Sequence, residues 1–416
     1  MENIRDYLIE LCTKARGAQV KLALTSDQVR NSALEAMAKA IVGRADYIIE
    51  ANKHDIDEAE KNGLSKAMCD RLMLNYERIE KLAASVRKLI ALDDPLNKSE
   101  SWTRPNGLVI ERVSVGLGNV GVIYEARPNV TVDVAAICIK SGNAAILRGG
   151  KEAYNTNIAL EEVLRSALES VGLEKELVSL VHDTSREGSN TLMKLNGYID
   201  VLIPRGGKGL ISAVVENASV PVIETGAGNC HIYVDKDADF DKALAILVNA
   251  KVSRPSVCNA AEKLIVHKDV AEEFLPLAAE SLKQYNVELR GDECTRKIIT
   301  ASPVSEDDFT REYNDYIMSI YVVDGIREAI EHINAYSTGH SEAIVTENDE
   351  AAQTFLSQIN SAAVYHNAST RFTDGEEFGF GAEIGISTQK LHARGPFALE
   401  ALTSIKYKIH GNGQIR

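Results

Sequence analysis

From Gly107 onward the sequence alternates between short apolar runs and longer stretches whose apolar residues recur at helical spacing, and this alternation limits the fold more than any other feature. LVIERVSV and GVIYE read as strands on either side of a glycine-rich turn; AAIL leads to a helix over 152–171, LVSLV to one over 186–195, and YIDVLI to one over 207–217, with strand VPVI after it. A second stretch begins near 228 with strand CHIYVD, a helix over 239–250 and strand KLIVH, then helices over 270–285, 325–335 and 348–359. Strands and helices in this order predict α/β architecture with parallel, doubly wound sheets. The first hundred residues read as helices, at 25–42 (cap candidates Thr25, Ser26 and Asp27), 46–62 and 75–91, until Asp93, Asp94, Pro95 and Asn97 break the pattern. The C-terminal SIKYKIHG alternates as a strand and calls for a partner outside its local fold, of the kind edge strands find across subunit interfaces.

A length of 416 residues, at roughly 100–200 per domain, suggests two or three domains. Asp and Glu number 60 against 46 Lys and Arg, a formal charge of −14 that argues against nucleic acid as a partner. Any anionic ligand must then be drawn in by local positive charge. The N-terminal MENIRDYLIELCTKARG reads as an amphipathic helix rather than a secretory signal, and no run of apolar residues is long enough to span a membrane. The six cysteines lack metal-ligand spacing, so no metal is expected. These features point to a reducing, cytoplasmic setting.

Gly116-Leu-Gly118-Asn-Val-Gly121 spells GxGxxG, but a strand follows it where a dinucleotide fingerprint needs a helix, so these glycines read as turn punctuation. A better phosphate site is Arg205-Gly206-Gly207-Lys208, between strand VLIP and a helix. Small residues there let backbone N–H groups approach an anion, and the cations and helix dipole attract it. Arg148 and Lys151, flanking Gly149-Gly150 past strand AAIL, form a second candidate of the same kind. Among the cysteines, Cys258 in KVSRPSVCNAAEK lies four residues after Arg254 in a loop, the electropositive setting that favours a reactive thiolate.

The stretches GVIYEARPNVTVDVAAICIKSGN, VDVLIPRGGKG, RPSVCNAAEKLIVH and VVDGIREAIEHINAYSTGHSEAIVT resemble the γ-glutamyl phosphate reductase (glutamate-5-semialdehyde dehydrogenase) family of proline biosynthesis, a branch of the aldehyde dehydrogenase superfamily. In the last stretch Val323, Ala329, His332, Ile333, Tyr336, Ser337, Thr338, His340, Ser341, Glu342 and Ile344 match the family's signature. The resemblance implies an aldehyde-dehydrogenase-like fold: an NADP-binding domain over 1–102 and 118–227, an α/β catalytic domain over 228–398, and a small β oligomerisation element over 103–117 and 399–416. It implies that Cys258 is the nucleophile, Asn129 the oxyanion-hole amide, Glu312 the ligand of the nicotinamide ribose and Arg148 the residue at the adenosine ribose. Lys151 stands where NAD-preferring relatives carry a glutamate, which favours NADPH on electrostatic grounds.

The implied reaction is NADPH-dependent reduction of L-glutamyl 5-phosphate through a cysteine thioester, with release of phosphate. Glu224 matches the glutamate that activates water in hydrolytic members, which keeps open an NAD(P)-dependent dehydrogenase acting on a small aldehyde. For the substrate's carboxylate, amine or phosphate, Arg254 and Arg371 are candidates, while His231, His332 and His340 are given no chemistry. A homo-oligomer is expected. Helices from residue 4 leave no room for a fused glutamate kinase, so any kinase is a separate partner.

Overall fold

The computed structural model describes residues 3–416. The chain divides into two compact units, the first reaching to Glu224 and adding 380–385 and 397–416, the second holding 225–379 and 386–396.

The first unit opens with five helices: α1 (Ile4–Leu22), α2 (Asp27–Gly43), α3 (Ala45–Lys61), α4 (Lys66–Leu72) and α5 (Tyr76–Ile90). Of the three cap candidates, Ser26 is the one used, accepting from the Val29 N–H. Next come a hairpin, β1 (Ser99–Thr103) and β2 (Val109–Gly116), and the strands and helices of a sheet: β3 (Asn119–Tyr124), α6 (Pro128–Lys140), β4 (Ala144–Gly149), α7 (Tyr154–Ser170), β5 (Val178–Leu180), α8 (Arg186–Leu192), β6 (Val201–Arg205) and α9 (Lys208–Asn217). The sheet is parallel in the order β5-β4-β3-β6. The chain therefore builds outward from β3 and then returns to its other side, the reversal that opens a ligand crevice at the carboxyl ends.

One expectation changes here and another is met. VPVI is not a strand: Val222 makes only an isolated bridge to Leu202, because Pro221 has no N–H and offers just its carbonyl, to Leu202. SIKYKIHG lies against the 103–117 segment, the pairing that the resemblance implies for the oligomerisation element: Thr403–His410 runs antiparallel to β2 from Thr403 opposite Gly116 to His410 opposite Val109. The decoy glycines are steric: at Gly118, with φ +124°, a Cβ would collide with the side chains of Asp200 and Arg16.

The second unit contains β7 (Cys230–Val234), α10 (Phe240–Val252), β8 (Ala261–His267), α11 (Lys268–Lys283), β9 (Glu288–Gly291), α12 (Glu293–Ile298), β10 (Ser302–Pro303), α13 (Asp307–Thr310), β11 (Ile317–Val323), α14 (Ile326–Tyr336), β12 (Ser341–Val345), α15 (Asp349–Gln358) and β13 (Ala363–His366). Its seven strands are parallel in the order β10-β9-β11-β8-β7-β12-β13. Both faces are covered: Ile232, Val234, Leu264 and Val266 pack with α10 and α11, while Tyr233, Ile265 and Ile344 pack with α14 and α15. Successive residues of one strand thus enter opposite cores, which is why these strands read as unbroken apolar runs. Among the described residues no helix is long and apolar enough to cross a membrane.

Candidate functional site

Cys258 sits half-buried in the loop that joins α10 to β8. Its neighbour Asn259 fastens that loop: its amide donates to the carbonyls of Arg371 at 3.2 Å and Thr373 at 2.9 Å. The Asn259 carbonyl accepts from Thr370 Oγ1 at 2.7 Å. Arg371 closes the set, donating to Asn259 Oδ1 and, at 3.0 Å, to Ser253 Oγ. The sequence offered Arg371 as a substrate grip, and the structure adds the work of a loop fastener. Burial and the charge of Arg254 lower the Arg371 pKa, while Cys258 raises it. Both arginines therefore bear on the site, and positive charge of this kind favours a thiolate.

Around Cys258 the chain is crowded. A Cβ at Gly228 would collide with the Cys258 carbonyl, and that carbonyl accepts from the Cys230 thiol at 3.2 Å. Burial pushes the Cys230 pKa well up and so keeps it a donor. From the other side the Gly228 N–H donates to Glu312 Oε1 at 2.8 Å. Cys258 and Glu312, 54 positions apart, thus meet at one glycine. None of the six cysteines is in a disulfide. Cys12, raised to about 12, and Cys138, raised further, are held protonated by burial.

The signature residues brace this floor. Thr338 Oγ1 accepts from the Asn229 N–H at 3.0 Å, and Glu342 Oε2 accepts from the His231 N–H at 2.7 Å and lies 2.9 Å from His231 Nδ1. Burial lowers His332 and His340 to about 4, leaving them neutral.

In the first unit, the carboxyl ends of the strands gather Arg148 with Lys151, the Arg205–Lys208 turn, and Asn129 at the start of α6. A residue the sequence reading passed over holds the turn. Glu125 follows β3, and its Oε2 accepts from the Gly207 N–H at 2.9 Å. Gly207 caps α9 with no side-chain bond of its own, so a carboxylate stands where an anion suits a helix N-terminus. Asn129 donates to Asp133 Oδ2 at 3.1 Å, one helical turn on. Burial raises Asp133 to about 6, opposed by the Asn129 amide and the Arg205 charge.

Arg148 spends donors on backbone carbonyls, to Gly149 at 3.1 Å, Thr184 at 2.5 Å and Ser185 at 3.0 Å, and its buried Nε has no partner. Lys151 is exposed. An N–H already bound to a carboxylate and a buried unpaired guanidinium N–H are donors that fit the phosphate and ribose of a nicotinamide dinucleotide. Glu224 ends the first and longest segment of this unit and is half-buried. Among the described residues no group of His, Cys, Asp and Glu could hold a metal ion.

The sequence matches the Aldehyde dehydrogenase family over residues 5–317 and 309–407. It is 55% identical over 416 residues to the γ-glutamyl phosphate reductase of Clostridium acetobutylicum, spanning 100% of both chains. The enzyme of that name from Petrotoga mobilis is 54% identical over the same full lengths. The crystal structure of γ-glutamyl phosphate reductase from Thermotoga maritima superposes with a TM-score of 0.97 at 47% identity, covering 98% of this chain and 99% of that one. An acetylating aldehyde dehydrogenase from Geobacillus thermoglucosidasius shares the fold, with a TM-score of 0.69 at 17% identity and 100% coverage of both chains.

Proposed function

This chain belongs to the aldehyde dehydrogenase family, and from that premise we propose how it works as a γ-glutamyl phosphate reductase, converting L-glutamyl 5-phosphate to L-glutamate 5-semialdehyde and phosphate. The observation that carries the reading is the meeting of Cys258 and Glu312 at Gly228.

The Cys258 thiolate, favoured by Arg254 and Arg371, attacks the acyl carbonyl and forms a C–S bond. The Asn129 amide and the Cys258 N–H take the oxyanion, and the bond to the phosphate oxygen breaks as the carbonyl re-forms. Cys258 is left as a thioester. A nicotinamide cofactor, when bound, supplies the hydride that reduces this thioester. Cys258 then leaves as thiolate while the aldehyde carbonyl forms. No step uses water, so Glu224 is not needed to activate one; its role is structural or at most to assist deprotonation of the thiol. Glu312 holds the nicotinamide ribose, the Arg205-Gly206-Gly207 turn the phosphates, and Arg148 with Lys151 the adenosine end, where two cations favour NADPH.

The sheet of β1, β2 and Thr403–His410 serves as the oligomerisation element. Ile405, Tyr407 and Ile409 on its outer strand are 54%, 51% and 61% exposed, a face for a second copy to cover. The setting is cytoplasmic, and a glutamate kinase is a candidate source of the labile substrate.

The test is the reverse reaction, NADP⁺ reduction with the semialdehyde, with and without inorganic phosphate, in wild type and Cys258→Ala. Phosphate dependence is expected, with activity lost in the variant. A phosphate-independent signal would mean a hydrolytic aldehyde dehydrogenase instead.

A further inference from the structure

The loop carrying Glu312 is tied to a set of buried charges at three of its residues. Lys263 Nζ donates to the Arg311 carbonyl at 2.7 Å, and Glu262 Oε1 accepts from the Asn314 N–H at 3.1 Å. Between them, the Tyr313 hydroxyl donates to Asp308 Oδ1 at 2.6 Å, and Lys263 Nζ lies 4.5 Å from the Tyr313 ring centre. Glu262 is paired in turn with Lys251 at 2.8 Å, and Lys251, Glu262 and Lys263 all have 0% exposure. Burying three charges costs several kcal/mol per ion before pairing repays it, so a neutral core would serve stability as well. What the charges add is direction.

A regular strand would send Glu262 and Lys263 to opposite faces. Here the register slips: Cys230 pairs with Ala261, but His231 pairs with Lys263, leaving Glu262 as the extra residue of a β-bulge. Bulges re-aim side chains, and this one brings two sequence neighbours onto a single loop. Asn314, at φ 57°, turns its N–H to Glu262 in the left-handed conformation that asparagine tolerates.

We propose that Lys263 and Glu262 are positioning residues: the β8 bulge aims both at residues 311–314 so that Glu312 presents its carboxylate to the cofactor ribose in one fixed geometry. The proposal rests on Glu312 being that ribose ligand. Burial lowers Lys263 to about 8, with Glu262 holding its proton against the loss.

The test compares Lys263→Met, Lys263→Arg, Tyr313→Phe, Glu312→Ala and the Lys263→Met/Glu312→Ala pair. Two quantities are read for each: the NADPH Kd without substrate, by fluorescence titration, and the rate of Cys258 alkylation by iodoacetamide without cofactor. Lys263→Met should weaken NADPH about tenfold, Tyr313→Phe less, with alkylation unchanged within about twofold. Lys263→Arg should recover most of the affinity. In the double variant Lys263→Met should add nothing to Glu312→Ala, because its effect passes through that carboxylate. Additive losses, an unchanged Kd in Lys263→Met, or a parallel fall in alkylation overturn the proposal. Should Lys263→Met fail to fold, Tyr313→Phe decides by the same criteria. An unchanged Kd in Glu312→Ala is a separate failure: it removes the ribose role and the proposal with it.

Discussion

Gly228 is where the geometry tolerates least. The Cys258 carbonyl lies where a Cβ would stand and Glu312 holds the N–H, so any side chain must push the Cys258 loop away. Displacing a reacting group by about 1 Å costs on the order of 100-fold, and Gly228→Ala should lower kcat by at least ~100-fold while far-UV circular dichroism stays native. Normal turnover would show that the loop yields. Asp133 makes a different residue-scale prediction. Its folded pKa, raised to about 6 by burial, lies above the ordinary ~3.9 of an unfolded aspartate. Between those values the folded chain keeps a proton that the unfolded chain has lost, so stability falls as pH climbs through this window. Asp133→Asn should therefore melt higher than wild type at pH 8 and equally at pH 4; equal melting at both would remove the burial argument. Cys258 drew notice in the sequence because Arg254 is a local neighbour, whereas the contacts of Gly228, Glu125 and Asp133 are approaches that no spacing in the sequence displays.

The helices and long strands were legible for a similar reason: their periodicity is local, and the cores on both faces of β7 and β8 demand it. VPVI misled because an apolar run says nothing about N–H groups, and Pro221 removes one. The bulge in β8 was invisible, since register is a property of two strands. The turn into α9 carries the prediction at this scale. Glu125 supplies the acid oxygen at that helix start, so on the proposed reading a cofactor phosphate would exchange with it rather than enter open space. Replacing the carboxylate by an amide weakens the competitor, and Glu125→Gln should tighten NADPH binding about twofold to fivefold, the ordinary range for one helix-terminal charge. Weaker binding in a titration would mean that Glu125 contributes to the site instead of occupying it.

For the whole molecule, the charge of −14 means that an anion must be met by local cations, and on the proposed reading these are Arg205 and Lys151 in the first unit and Arg254 and Arg371 in the second. The division of the chain has one more consequence. The first unit is completed by the last residues: Thr403–His410 closes the edge of β2, and the Leu402 carbonyl accepts from both Leu117 N–H and the Asn143 amide, at 3.1 and 2.9 Å. During synthesis the β1–β2 hairpin therefore waits with an open edge until residues 403–410 have emerged. Such edges invite pairing with other chains. A chain cut before Thr403 should be lost to aggregation while its second unit still folds, so residues 403–410 act as a latch on a hairpin made long before them.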